Sequence, residues 1–468
     1  ETIRSIQENS YDWTEYYYYY AIPREIIANS LIPHNWQAEG LTAHVVNNAM
    51  AIKYPGLWYQ QSDDDRYREA VNTGIKNYIK HHDQAGGRFS GDEHLSGKSP
   101  AQGTEMCAVV EYMYSLEKLF GIFGNISLAD RLEYLAYNAL PGTMTADGWA
   151  HQYDQQSNQV LVSVDKRNWS TNRDESNIYG LMPNYPCCLA NMHQGWPKFV
   201  EHMWMGTHDK GLLAAAYGPS SVIAEVGNGS IVKITEETNY PFDGNIEFKI
   251  ETDKKVKFPI YLRIPEWSGI CSIEYKGSPI KADKGEMVKL LEKWENGDII
   301  SLNIPFEIRA ERRYNNSISL LRGPLYYSLR IGKEYMEADM SYKKYKYMGS
   351  TDWQIKPTTD WNYGLLIDRD KIFENIKVEV NPVEAYPFAD KGDMIWSDED
   401  KNHIKWDKDA PVILKLTGVQ IPRWGMKDNS AADPPVSPLG SDGQEVELEL
   451  VPYGCAKLRI TEFPVIKK

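Results

Sequence analysis

The sequence predicts a multidomain α plus β chain, with a helical domain over residues 1–208 followed by two β-sandwich domains over 209–331 and 332–468. Three observations carry that reading. Apolar residues recur at helical spacing from Tyr11 to about His208, and the pattern changes after Asp209 to short alternating runs. A length of 468 residues with 42% hydrophobic content suffices for several cores.

Six helices are expected in the first domain, over 13–31, 37–61, 64–82, 105–120, 127–140 and 186–205. Asp63, Thr104 and Ser127 stand where N-caps belong, each offering a side-chain oxygen to the free N–H groups of a first turn. Between the last two helices lies 141–185, rich in Asn, Gln, Asp and Trp. A loop that long inside a helical domain is functional or disordered, and its aromatic content argues against disorder. Beyond Asp209, runs at 230–235, 245–250, 258–264 and 299–304, separated by Gly, Asn, Asp and Pro, read as strands. A second set follows a Tyr- and Lys-rich stretch at 335–347, which places the join of the two sandwiches near Gly332. The Pro-rich segment 432–439 reads as an extended connector between strands.

Composition narrows the function classes. The formal net charge of −14 opposes the clustered Lys and Arg that a phosphate-tracking surface needs, so nucleic acid is not an expected partner. The longest apolar stretches, such as 211–217, fall far short of the roughly 20 residues of a spanning helix, so no membrane span is expected. The chain opens at Glu1 with neither an initiator Met nor a basic-then-apolar leader. A targeting segment removed upstream fits that start, which tips the expected location towards secreted or periplasmic over cytoplasmic. Five cysteines, two of them adjacent at Cys187 and Cys188, do not make a disulfide framework in so long a chain and point first to metal binding or catalysis. The 31 Tyr and 14 Trp suit a carbohydrate partner, because flat rings pack against sugar rings, although cores take up aromatic residues too.

The most specific local signal pairs Gly103-Thr104-Glu105-Met106-Cys107 with Asn184-Tyr185-Pro186-Cys187-Cys188, each at the start of an expected helix. Glu105, Cys107, Cys187 and Cys188 make a four-coordinate set of the carboxylate and thiolate ligands that zinc takes. Glu105 and Cys107 are two residues apart, on different faces of a regular helix, so both reach one ion only at an irregular helix end. Helix N-termini also favour thiolates through their free N–H groups. Buried, inert cysteines meet the same spacing, and that reading fits Cys271 and Cys455 in their strand-like segments.

Four segments together carry a resemblance: Ser90-Gly91-Asp92-Glu93-His94-Leu95-Ser96-Gly97, the Glu105-x-Cys107 pair, Trp149-x-His151-Gln152-Tyr153-Asp154-Gln155-Gln156, and Cys187-Cys188-Leu189-Ala190-Asn191 with Gln194-Gly195-Trp196-Pro197. They resemble the β-L-arabinofuranosidase family of glycoside hydrolases, family 127 and its relatives. Later segments resemble it too, including Leu262-Arg263-Ile264-Pro265, Arg322-Gly323-Pro324 and Pro452-Tyr453-Gly454-Cys455, so the likeness runs over nearly the whole chain.

The resemblance implies an (α/α)6 barrel followed by β-sandwiches, and a retaining exo-acting hydrolase that releases L-arabinofuranose from plant-type glycans. Carried onto this sequence, Cys187 is the nucleophile, and Glu105, Cys107 and Cys188 are the remaining ligands of Zn2+. Glu93 is the acid/base, with Asp92 beside it as the alternative. His44 and His151 are expected to border the sugar. A carboxyl that gives up a proton and then takes one is expected to have a raised pKa in the free enzyme. Such a barrel has twelve helices and six are expected here. The earlier half is therefore expected upstream of Glu1 or in another chain, for instance a second copy in a homo-oligomer, unless the barrel is reduced. Two rivals stand beside this reading: a related glycosidase for another sugar, such as an anhydrogalactoside, and a non-catalytic, zinc-stabilised carbohydrate-binding protein.

Overall fold

The computed structural model describes Ser5 and residues 10–20, 36–180, 185–339, 352–366, 376–440 and 443–467. Helices occupy Trp13–Glu15 (α1), running on as a π turn over Tyr16–Tyr20, then Trp36–Ala43 (α2), Val45–Ala51 (α3), Tyr54–Ser62 (α4) and Asp65–His81 (α5). Met106–Phe123 (α6), Ile126–Tyr134 (α7) and Pro186–Glu201 (α8) follow. Of the helix expected over 13–31, the part from 21 lies outside the described residues, as does Asn184.

Local capping differs from the expectation at all three positions. Asp63 ends α4 in the left-handed region at φ 56°, and Asp64 caps α5 by accepting from the Arg66 N–H at 3.0 Å. Asn125 caps α7, accepting from the N–H of Ser127 at 3.1 Å, because Ser127 already lies inside the first turn. Thr104 is in a short strand, and Glu105 takes the N-cap position of α6. The single helix expected over 37–61 is interrupted at His44 and again at Lys53.

The long α6 is buried along most of its length, from Met106 and Cys107 to Leu119 and Phe120, and forms the spine against which α3, α7 and α8 pack. Beyond α8 the chain builds sheets. One has six strands in the order Ser278–Ala282, Cys271–Tyr275, Ile299–Asn303, Asn245–Thr252, Ser230–Thr238 and Ser220–Val226. A second has four: Met287–Trp294, Val256–Arg263, Leu212–Ala214 and Trp204–Gly206. Alternation explains their burial. Along Ser230–Thr238 the residues Val232, Ile234 and Glu236 are buried while Ile231 is exposed.

A nine-stranded sheet follows, and it includes Ile308–Arg312, Ile318–Arg322 and Leu325–Leu329 next to Glu445–Pro452 and Val412–Gln420. The pairing thus changes sheet between Asn303 and Ile308, ahead of the join expected near Gly332. The C-terminal residues reach back to the helical part, where Arg459–Ile460 pairs with Asn158–Gln159. Gln152, Gln155, Gln156, Asn158 and Gln159 are fully buried, so much of the 141–185 loop is a polar core between regions rather than a surface loop. No helix of the described residues is long and apolar enough to cross a membrane.

Candidate active site

Backbone geometry brings the Glu-x-Cys pair together. Thr104–Glu105 pairs antiparallel with Asp154–Gln155, Glu105 lying opposite Asp154. The Glu105 N–H donates to Gly91 O and the Met106 N–H to Tyr153 O, both at 2.9 Å, so the chain stays extended through Glu105 and turns helical only at Met106. Glu105 therefore escapes the rotation of about 100° per residue that would part it from Cys107 inside a helix. On α8, Pro186 fills the first helical position, where a missing N–H costs nothing, and Cys187 and Cys188 follow in the first turn.

Cys107 Sγ and Cys188 Sγ lie 3.3 Å apart. One ligand atom from each of Glu105, Cys107, Cys187 and Cys188 lies within 4.8 Å of the others. Three of these side chains are buried and Cys187 is exposed. The Cys187 thiol is pushed below the usual thiol range by hydrogen bonds from Cys107 and Cys188, and by the N–H groups that open α8. Cys107 is pushed up because its proton is held against Cys187. Cys188 and Glu105 are pushed up by burial. Glu105 Oε2 is buried with no hydrogen-bond partner among the described residues. Without a cation Cys107, Cys188 and Glu105 hold their protons and only Cys187 is set up as a thiolate, so a bound cation is what would let all four act as anionic ligands. The donor set fits a thiolate-preferring divalent metal.

His44 and Glu93 form a second group. The break between α2 and α3 puts His44 in an extended conformation, bridged to His94, with the Val45 N–H donating to Glu93 O at 2.8 Å. His44 Nδ1 accepts from the Asn47 N–H at 3.2 Å, which assigns the ring proton to Nε2, and Nε2 donates to Glu93 Oε2 at 3.1 Å. The other oxygen, Glu93 Oε1, accepts from Tyr153 OH at 2.8 Å and Asn172 Nδ2 at 3.3 Å. These donors, His44 foremost, hold the Glu93 carboxyl down at about 2. The raised carboxyl expected from the sequence is not what the free state presents, because hydrogen bonds to the charged form outweigh partial burial. Ligand atoms of His44, Glu93 and Glu105 also lie within 4.8 Å of one another, so Glu105 belongs to both groups and links them.

Asp92, the alternative to Glu93, is buried and occupied: Oδ1 accepts the Glu93 N–H at 2.7 Å and Oδ2 the Thr171 N–H at 2.6 Å. His151 is fully buried with Nδ1 3.1 Å from its neighbour's carbonyl, and it lies outside both groups of converging ligand atoms. Cys271 and Cys455 are buried away from the cluster. Two residues not singled out from sequence contact Glu93. Tyr153, whose ring stacks on Tyr185 at 4.0 Å, had a signal in its motif; Asn172 had none.

Two sequence profiles match the chain. One is described as Beta-L-arabinofuranosidase, GH127 catalytic domain, over residues 14–201, and the other as Beta-L-arabinofuranosidase, GH127 middle domain, over residues 211–306. The chain belongs to the GH127 family. Among solved structures, this GH127 chain is similar to a GH127 β-L-arabinofuranosidase from Geobacillus stearothermophilus T6, at 17% identity and a TM-score of 0.58. It is also similar to a protein described as a glycoside hydrolase and to a GH127 β-arabinofuranosidase, each at 15% identity and a TM-score of 0.60. Each likeness covers 91% of this chain but only 60%, 66% and 61% of those chains in turn, and at such identities it shows the fold alone. No curated protein matches the chain. The matched GH127 catalytic region contains both ligand groups. The middle-domain match ends at 306, just before Ile308–Arg312 opens the nine-stranded sheet.

Proposed function

We propose that this GH127 chain is a retaining exo-glycosidase that releases L-arabinofuranose, with Cys187 as nucleophile and Glu93 as acid/base. One observation carries the reading. Of four converging ligand side chains, Cys187 alone is exposed, and Glu105 links it to the Glu93 carboxyl. The metal that suits Glu105, Cys107, Cys187 and Cys188 is zinc. When bound, zinc supplies charge withdrawal that keeps the ligand sulfurs deprotonated and eases release of sulfur from carbon.

The chain's own groups account for the rest. Cys187 Sγ attacks the anomeric carbon as the C–O bond breaks, and Glu93 gives its proton to the departing oxygen. Glu93 then takes a proton from water, the oxygen attacks the same carbon, and the C–S bond breaks with net retention. The free state favours the carboxylate of Glu93, the form the second step needs. Sugar binding dries the half-exposed carboxyl, and desolvation favours the protonated form that the first step needs. Tyr153 and His44 fix the direction of the carboxyl.

The helical part is read as a portion of an (α/α)6 barrel, followed by β-sandwiches. The test is turnover by zinc-loaded protein. Release of 4-nitrophenol from the aryl β-L-arabinofuranoside is the expected result. Turnover of an anhydrogalactoside in its place would redirect the substrate, and sugar binding without turnover of any glycoside would make the cluster structural.

A further inference from the structure

We propose that Asp92, Thr171 and Asn172 form a clamp that positions the Glu93 carboxyl, and that the clamp is anchored by a hairpin from the C-terminal sheet region. The proposal rests on Glu93 as the acid/base. Asp92 is only 4% exposed and both of its oxygens accept from backbone N–H groups, one from Glu93 itself and one from Thr171. Asn172 Nδ2 lies 3.4 Å from Asp92 Oδ2 and 3.3 Å from Glu93 Oε1, so the loop holds the Glu93 backbone through Asp92 and the carboxyl head through Asn172.

The loop is anchored from the other side. Trp169 Nε1 donates to Ser430 Oγ at 3.1 Å, and Asn429 Nδ2 donates to Lys166 O at 3.0 Å. Ser430 is buried on a hairpin in which Met426–Lys427 pairs with Ser430–Ala431. The Trp169 ring lies against Gly103, where a Cβ would come within 2.1 Å of it, so the same indole also abuts the segment that leads to Glu105. A reacting carboxyl needs its direction fixed by surrounding packing and hydrogen bonds, and small misplacements cost about 100-fold in rate. Asp92→Asn would turn an NH2 group towards one of two N–H donors, a contact that no rotation repairs.

Protonation of the leaving oxygen supplies the test. A 4-nitrophenolate departs without a proton, whereas an alkoxide does not, and kcat/KM reports the steps through bond cleavage. In the zinc-loaded full chain, Asp92→Asn and Asn172→Ala should lower kcat/KM for methyl β-L-arabinofuranoside about 100-fold, and for the 4-nitrophenyl glycoside about tenfold or less. Trp169→Phe, which removes the N–H to Ser430 and trims the indole packed against Gly103, should shift the two in the same unequal way by a smaller factor. A general structural disturbance would lower both substrates alike. Glu93→Gln serves as the reference. If it shows the unequal loss while Asp92→Asn and Asn172→Ala lose equally on both substrates, the clamp is overturned and Glu93 stands. If Glu93→Gln itself loses equally on both, the reading of Glu93 fails and the clamp falls with it. Asn172 is half-buried on the loop, so its variant keeps the test open should Asp92→Asn not fold.

Discussion

Cys187 and Cys188 are neighbours with opposite exposures because successive residues entering a helix diverge by about 100°. On the proposed mechanism that divergence gives them separate roles. Cys187→Ser is expected to abolish nearly all turnover while leaving the fold intact, since a serine hydroxyl is far less acidic and a poorer zinc ligand. Cys188→Ser is expected to act through weakened metal binding, so excess zinc should restore part of its activity. Elemental analysis should find about one zinc per chain in the parent. A haloacetamide shaped like the furanose should label Cys187, which peptide mass spectrometry would locate. Adducts confined to Glu93, with Cys187→Ser turning over at the parent rate, would return the proposed mechanism to two-carboxylate chemistry. The convergence of Glu105, Cys107, Cys187 and Cys188 was legible from spacing because each pair is local to one helix start. Tyr153 and Asn172 reach Glu93 across separations of 60 and 79 residues, which local pattern does not encode.

The break at His44 shows what hydrophobic periodicity misses at the level of an element. Apolar spacing continues through 37–61 because the inward face is continuous, yet the segment around Glu93 and Leu95 docks between Ala43 and Val45 and takes their backbone groups out of helical pairing. His44 then serves two ends, capping α3 through Nδ1 and orienting Glu93 through Nε2. His44→Asn separates them. Asparagine is among the best N-caps, so thermal stability should stay near the parent's, whereas loss of the Nε2 donor should lower turnover about tenfold or more. Asn125→Ala is the converse, expected to cost about 1 kcal/mol of stability at the start of α7 with turnover unchanged. Thermal melts and steady-state rates on the two variants check both statements. A His44→Asn protein as unstable as Asn125→Ala and fully active would place the histidine in the scaffold alone.

At the scale of the molecule, the order of a helical region before β regions was legible from the change of period near Asp209. The sheet pairings were not, because register joins strands as distant as Leu325–Leu329 and Glu445–Pro452. The contact between helical and β regions was equally hidden. Arg263 lies fully buried against Asp130 and Glu133 of α7, more than a hundred residues earlier in the chain. Close to this cluster sits Glu236, buried on Ser230–Thr238, where Oε1 accepts the Gly218 N–H at 2.9 Å and Oε2 lies 3.0 Å from Ser220 Oγ. Burial raises its carboxyl from 4.5 to about 8, with the hydrogen bonds from Gly218 and Ser220, and Arg263 after them, offsetting only part of the effect. A folded-state value above the unfolded one means that the stability it contributes is complete below about pH 4.5 and is lost as pH climbs through 8. A tenfold difference in proton affinity between the folded and unfolded chain corresponds to about 1.4 kcal/mol, so the loss between pH 5 and pH 9 is on the order of a few kcal/mol. Glu236→Gln mimics the protonated acid, with its carbonyl accepting from Gly218 and its NH2 facing Ser220, and it does not titrate. The variant should therefore melt close to the parent at pH 5 and clearly above it at pH 9. Every other titrating group is common to both proteins and cancels in the difference between them. Urea and thermal unfolding at the two pH values would read that difference, and an identical offset at both would show that Glu236 takes no part in the alkaline loss of stability.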